Sequence, residues 1–211
     1  MSGYSKEQFL TLLKEGKTNL LADLVALRKG SLRYLNRLLY HPEDLVRWRA
    51  VEAMGLVAQR LAGEEPEAVR NIIRNLLWTI NEESGGIGWS SPHCLGEIIY
   101  RLPDMFGEFA SIIISFVDEQ MLRRGVAWAA GRIAQARPGL VREEAPRLMV
   151  FLGDPDPVVR GYTLRFLYII GEKPDFGIYP GLKDDPGVVP LYENGSLRET
   201  TVAHLAALIA L

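Results

Sequence analysis

Along most of the chain, apolar residues return every three or four positions, the spacing that gives an α-helix one buried face. The clearest helix entry is Asp154-Pro155-Asp156-Pro157-Val158-Val159-Arg160: turn residues, a proline suited to a first helical turn, then an apolar start. Related entries lie at 41–47, 118–123 and 193–198, with a divergent copy at 84–88. The apolar residue before the arginine, or before Gly88, is Val46, Ile87, Leu122, Val159 and Leu197, in steps of 41, 35, 37 and 38 residues. A repeat of that length accommodates two helices and two turns. After the entries the core positions follow helical spacing: Val46, Ala50, Ala53, Met54 and Val57 in one copy, Leu122, Val126, Ala129, Ala130 and Ile133 in another. Gly55, Gly96 and Gly131 stand at matching places, where a missing side chain lets helices approach closely.

The pattern predicts paired helices at 32–40 and 45–62, 66–80 and 92–101, 106–117 and 120–137, and 142–152 and 157–170. A loop-rich stretch, 171–195, with four prolines, precedes a last helix at 197–211; it is expected to have little regular structure or to act as a mobile flap. Ser5 with Gln8 three residues on is a capping-box start for a first helix, and a second spans about 19–29. No segment of useful length alternates with a strand's period.

The Asp-Pro-Asp-Pro-Val-Val-Arg segment and the alanine- and leucine-rich helix after it resemble the HEAT-repeat superfamily, and the short alanine-rich copies resemble its phycobilisome-lyase type. The resemblance extends over roughly 32–211. It implies an all-α fold, a right-handed α-α superhelix (HEAT/armadillo-like solenoid) of about five helical pairs, with residues 1–31 as an N-terminal helical cap and 32–211 as the array, one continuous domain. The superfamily includes scaffolds, bilin lyases and DNA glycosylases, so the fold leaves the activity open.

Composition narrows the setting. The chain has 211 residues, 48% of them hydrophobic and 24% charged, enough for a continuous core. A net charge of −2 lacks the basic excess of a dedicated nucleic-acid binder. Cys94 is the one cysteine, which fits a reducing compartment; its core position marks a buried, inert thiol. The N-terminus has no apolar signal core, and the longest apolar run, near 112–117, is far short of the ~20 residues a membrane helix needs. A cytoplasmic protein is the expectation.

In a HEAT array the second helices line the concave side. Opposite their core positions lies a stripe of Trp48, Arg49 and Glu52; Trp89, Ser90, His93 and Glu97; Arg124, Trp128 and Arg132; and Tyr162 and Arg165. Tryptophan, tyrosine and arginine are the types enriched at binding hot spots. The alternative is that the tryptophans fill gaps between unequal repeats and the charges pair across neighbouring helices. The stretch 81–93 replaces a short turn with a glycine-rich acidic loop containing Glu82, Glu83, Gly85 and Gly86, with Ser91-Pro92 as a predicted N-cap and first-turn residue. It lacks the Gly-Lys-Ser/Thr of a P-loop. His93, Glu97 and Glu52 sit where adjacent helices can bring them together, but a solvated His–Glu pair outranks a metal site.

Three functions follow as expectations. The first is a non-catalytic module gripping a protein or peptide along an aromatic–arginine groove, with no cofactor, metal or catalytic residue. The second is an enzyme similar to HEAT-like glycosylases of alkylated bases, with Trp89, Trp128, Glu52 and Glu97 around a cationic lesion and the arginines on phosphate. The third is a bilin-lyase-like carrier that presents a tetrapyrrole.

Overall fold

The computed structural model describes residues 5–81 and 88–210. The expected loop residues Glu82, Glu83, Gly85 and Gly86 lie outside the described residues. The chain begins with α1 (Lys6–Lys14), started by the Ser5–Gln8 capping box, and α2 (Thr18–Leu27). Then come α3 (Leu32–Leu38), α4 (Asp44–Ala62), α5 (Pro66–Asn81) and α6 (Ser91–Arg101). The short α7 (Pro103–Phe106) and α8 (Ala110–Ile114) precede α9 (Arg123–Ala136), and the short α10 (Ala145–Met149) precedes α11 (Pro157–Ile170). Strands β1 (Val188–Glu193) and β2 (Ser196–Thr201) lead into α12 (Val202–Ala210).

The second helices form an inner layer in which α2, α4, α6, α9 and α11 each pack on the next; α5, α8 and α10 back them from outside. This is the all-α layered array that the repeat spacing predicts. The core positions named for the first and third copies are all buried, Val46 to Val57 and Leu122 to Ile133. Cys94 is buried too, and burial pushes its thiol well above the ordinary range. Two of the three matching glycines sit at close contacts between inner helices. A Cβ on Gly96 would lie 2.8 Å from the Ala129 Cα, and one on Gly55 2.5 Å from the Glu97 Cγ. Gly131 has nothing closer than 3.7 Å, so close packing is not what places a glycine there.

The outer helices of the later copies differ from expectation. The predicted 106–117 and 142–152 helices are broken into α and 3-10 turns, where Gly107 and Pro146 interrupt the α ladder. The larger correction is at the end. Residues 188–201 form an antiparallel hairpin with Glu193 opposite Ser196 around Asn194-Gly195, both at positive φ (49° and 75°). That is the two-residue turn whose twist suits a hairpin. The expected helix at 197–211 therefore starts only at Val202, and Leu197 sits on a strand. No helix among the described residues is long and apolar enough to cross a membrane.

Candidate functional site

Three of the repeat entries are fixed by their arginines in the same way. Arg47 donates to the His41 carbonyl (2.8 Å), Arg123 to the Val117 carbonyl (3.4 Å) and Arg160 to the Asp154 carbonyl (2.6 Å). In all three the acceptor lies six residues earlier, so the arginine closes the turn between the two helices. Arg123 and Arg160 also reach forward, to Asp154 (2.9 Å) and Asp185 (2.8 Å), tying each turn to the next. The repeated arginine is thus a staple for the turns, a role the periodicity alone did not assign. Asp156 caps α11 by accepting from the Val158 amide (3.0 Å), with Pro157 following as expected. Ser91 differs from its expected role. It lies inside α6, its hydroxyl paired with Thr79 (2.9 Å), and Ser90 precedes the helix, donating to the Leu39 carbonyl (2.9 Å).

The predicted stripe divides into three parts. The first is consumed between helices. Glu97 is 2% exposed and held by Arg101 (2.8 Å) on its own helix and by Arg132 (2.7 Å) on α9. The Arg132 guanidinium also stacks on Tyr100, 3.4 Å from the ring centre. Trp128 is 3% exposed, packed against Trp48 (5.0 Å) and His93 (5.4 Å). Trp128 is thus packed among aromatic rings, and Glu97 and Arg132 pair with each other across α6 and α9.

The second part is covered by the chain's own hairpin. Tyr192 stacks on Trp48 with ring centres 5.6 Å apart and planes 6° from parallel, and its hydroxyl bonds Glu52. Arg49 donates to the carbonyls of Gly195 (3.1 Å), Leu13 and Lys14 (both 2.8 Å). The Tyr162 hydroxyl donates to the Pro190 carbonyl (2.7 Å), and Arg165 pairs with Glu193 (2.8 Å). Burial raises the phenols of both Tyr162 and Tyr192; the hydrogen bond to Glu52 raises Tyr192 further.

The third part is open. A cleft of about 650 Å³ runs along the N-terminal ends of α4, α6, α9 and α11. Trp48, Trp89, Ser90, His93, Arg124 and Tyr162 of the predicted set line it. Its mouth carries large exposed side chains: Trp89 (57%), Tyr40 (53%) and Met121 (55%). Tyr40, Met121 and Arg47 were not in the predicted set. Tyr40 lies in the turn after α3 and Met121 in the 3-10 turn before α9, while Arg47 is on α4 itself, one position before the stripe that begins at Trp48. The charges at the rim are matched, Arg47 with Asp44 and Arg124 with Asp156. On the floor, burial pulls the His93 imidazole down from its ordinary value to about 4; a backbone hydrogen bond with Trp89 opposes this, and Arg47 and Arg124 add to the pull. His93 meets Trp48 edge-on at 4.9 Å, so it is a neutral ring in an aromatic cluster at neutral pH.

Neither Glu52 nor Glu97 lines this cleft. Glu52 is bonded to Tyr192, and Glu97 to Arg101 and Arg132. Among the described residues no group of three or more His, Cys, Asp or Glu is arranged to hold a metal ion.

Residues 120–170 match the HEAT-like repeat family. That match and the layered helical pairs bear out the superfamily resemblance; nothing in it singles out the phycobilisome-lyase type. An uncharacterized protein of Archaeoglobus fulgidus is 27% identical over 178 residues, spanning 82% of this chain and 91% of its own length. The crystal structure of an engineered protein superposes with a TM-score of 0.49 at 15% identity, covering 83% of this chain and 76% of that one.

Proposed function

We propose that this HEAT-like repeat array is a non-catalytic interaction module that binds a segment of a protein partner in the cleft at the N-terminal ends of α4, α6, α9 and α11. The observation that carries the reading is the cleft's mouth: three large apolar or aromatic side chains, Trp89, Tyr40 and Met121, stand more than half exposed around a cavity of about 650 Å³. Exposed aromatics of this size cost free energy in water and regain it when a partner side chain covers them. Aromatic anchors with arginines at the rim are what binding hot spots are made of. The matched rim charges favour a peptide over a nucleic acid. Asp44, Asp154 and Asp156 outnumber Arg47 and Arg124 in the lining, so phosphates would meet more repulsion than attraction. The glycosylase-like reading has no support at the cleft, because the carboxylates it requires lie outside the lining and are engaged with Tyr192 and with two arginines. A cytoplasmic setting remains part of this proposal, resting on the lone buried thiol.

The test is affinity capture from a native lysate with wild type and with Trp89→Ala/Arg124→Ala. Both side chains are exposed, so the variant keeps the fold. A protein retained by wild type and lost by the variant supports the reading. Retention of nucleic acid or pigment alone, or of the same proteins by both, overturns it.

A further inference from the structure

The hairpin that covers the second part of the stripe has the makings of a bound ligand. A two-stranded hairpin is at best marginally stable by itself in water, so it must be held by what it touches. Of its strand residues only Val189 is fully buried. Val189 packs on Gly161 of α11, where a Cβ would come within 2.4 Å of its side chain. Further attachments are an aromatic stack (Tyr192 on Trp48), a hydrogen bond from the Tyr192 hydroxyl to Glu52, a charge pair (Glu193 with Arg165) and two backbone carbonyls read by side chains (Pro190 by Tyr162, Gly195 by Arg49). These are the elements of peptide recognition: a ring and a carboxylate for specificity, main-chain acceptors for affinity. The receptor groups come from α4 and α11, which are separated in the stack by α6 and α9. They would present the same surface to any segment of like chemistry. The seat is also continuous with the open cleft, since Trp48, Tyr162 and Pro190 belong to both.

We propose that the concave face is a peptide groove whose resident occupant is the chain's own hairpin, and that its external partner is an extended segment carrying an aromatic residue followed directly by a carboxylate, as Tyr192-Glu193 does. The groove reads that pair through Trp48 and Arg165, and the partner binds by displacing the hairpin. This rests on the concave side being a binding face but not on Trp89, which stands outside the hairpin's contacts. A tethered occupant competes at an effective concentration on the order of millimolar, so the groove stays closed to weak ligands and opens to a better match.

The probe is a fluorophore-labelled peptide of residues 186–201, titrated into full-length wild type and full-length Tyr192→Ala/Glu193→Lys, which loosens the resident copy. The expected result is about tenfold or tighter binding to the variant than to wild type. Binding is then lost on adding Arg165→Ala, and left unchanged by Trp89→Ala. Circular dichroism and melting follow each variant. Equal binding to wild type and variant overturns the proposal, as does no binding to a variant with an intact helical signal. Loss of that helical signal on loosening the hairpin overturns it too, because the hairpin would then be part of the fold and not an occupant.

Discussion

Gly96 and Gly131 occupy matching places in consecutive second helices, yet only Gly96 meets a neighbour that a methyl group would strike. Gly96→Ala forces α6 and α9 apart and is expected to cost about 1–3 kcal/mol, the usual range for overpacking. Gly131→Ala gains helix propensity without a clash and is expected to be neutral or stabilising by up to ~1 kcal/mol. Denaturant melts of the two variants separate the cases. His93 gives a pH signature. Its pKa of about 4 in the folded chain lies below the ~6.5 of an unfolded histidine, so between those values the unfolded chain takes up a proton that the folded one refuses. Stability is therefore full above about pH 6.5 and is lost as pH falls toward 4, by on the order of 2–3 kcal/mol from this residue. His93→Gln should flatten that slope in melts across the same window; an unchanged slope would assign it to other groups. At this scale the sequence was informative about core positions such as Val46 and Ala129, which local periodicity determines. It was silent on how much room each glycine needs, because that depends on a facing residue about thirty-three positions away, as Ala129 is from Gly96.

Among the elements, the inner helices were legible and the hairpin was not. The α11 boundaries follow directly from the Asp156-Pro157 start and the glycine at its end, Gly171 at a φ of 73°. The hairpin carried a signal of its own. Asn194-Gly195 stands between Val188-Val189 and Thr200-Thr201, and an Asn-Gly pair between β-favouring runs is a strong hairpin mark. The repeat register overrode it, since Glu193–Arg198 falls where a fifth helix entry is due, and Pro190 argues against a central strand. Pro190 is tolerated because β1 is an edge strand. The turn offers a direct check. Gly195→Ala places a side chain at a φ of 75° and is expected to weaken the hairpin by about 1 kcal/mol. Amide exchange should quicken in β1 and β2 while the protection of α4, α6 and α9 stays as in wild type. Uniform loss of protection would mean that the hairpin and the array unfold as one unit.

For the whole molecule, the steps of 35 to 41 residues established the layered array because each repeat contacts mainly its neighbours. What those steps do not encode is contact between distant repeats. Tyr192 reaches Glu52 and Gly195 reaches Arg49 across 140 and 146 residues. Those contacts turn a predicted open groove into a covered seat and an open cleft, so Arg49, Glu52 and Arg165 serve the hairpin and not solvent. The cleft draws on four repeats at once, combining a partly predicted stripe with turn residues such as Tyr40 and Met121. The central claim is that this cleft, and not exposed aromatic surface in general, binds the partner. The chain provides its own control. Trp78 on α5 is 67% exposed and lies outside the cleft, while Trp89 is 57% exposed and lies at its mouth. The deciding measurement is partner retention in affinity capture for Trp89→Ala and Trp78→Ala side by side. The account predicts that Trp89→Ala lowers retention by about tenfold or more, as expected for an aromatic hot spot, and that Trp78→Ala leaves it unchanged. Equal retention by both variants, or loss with Trp78→Ala alone, would contradict it.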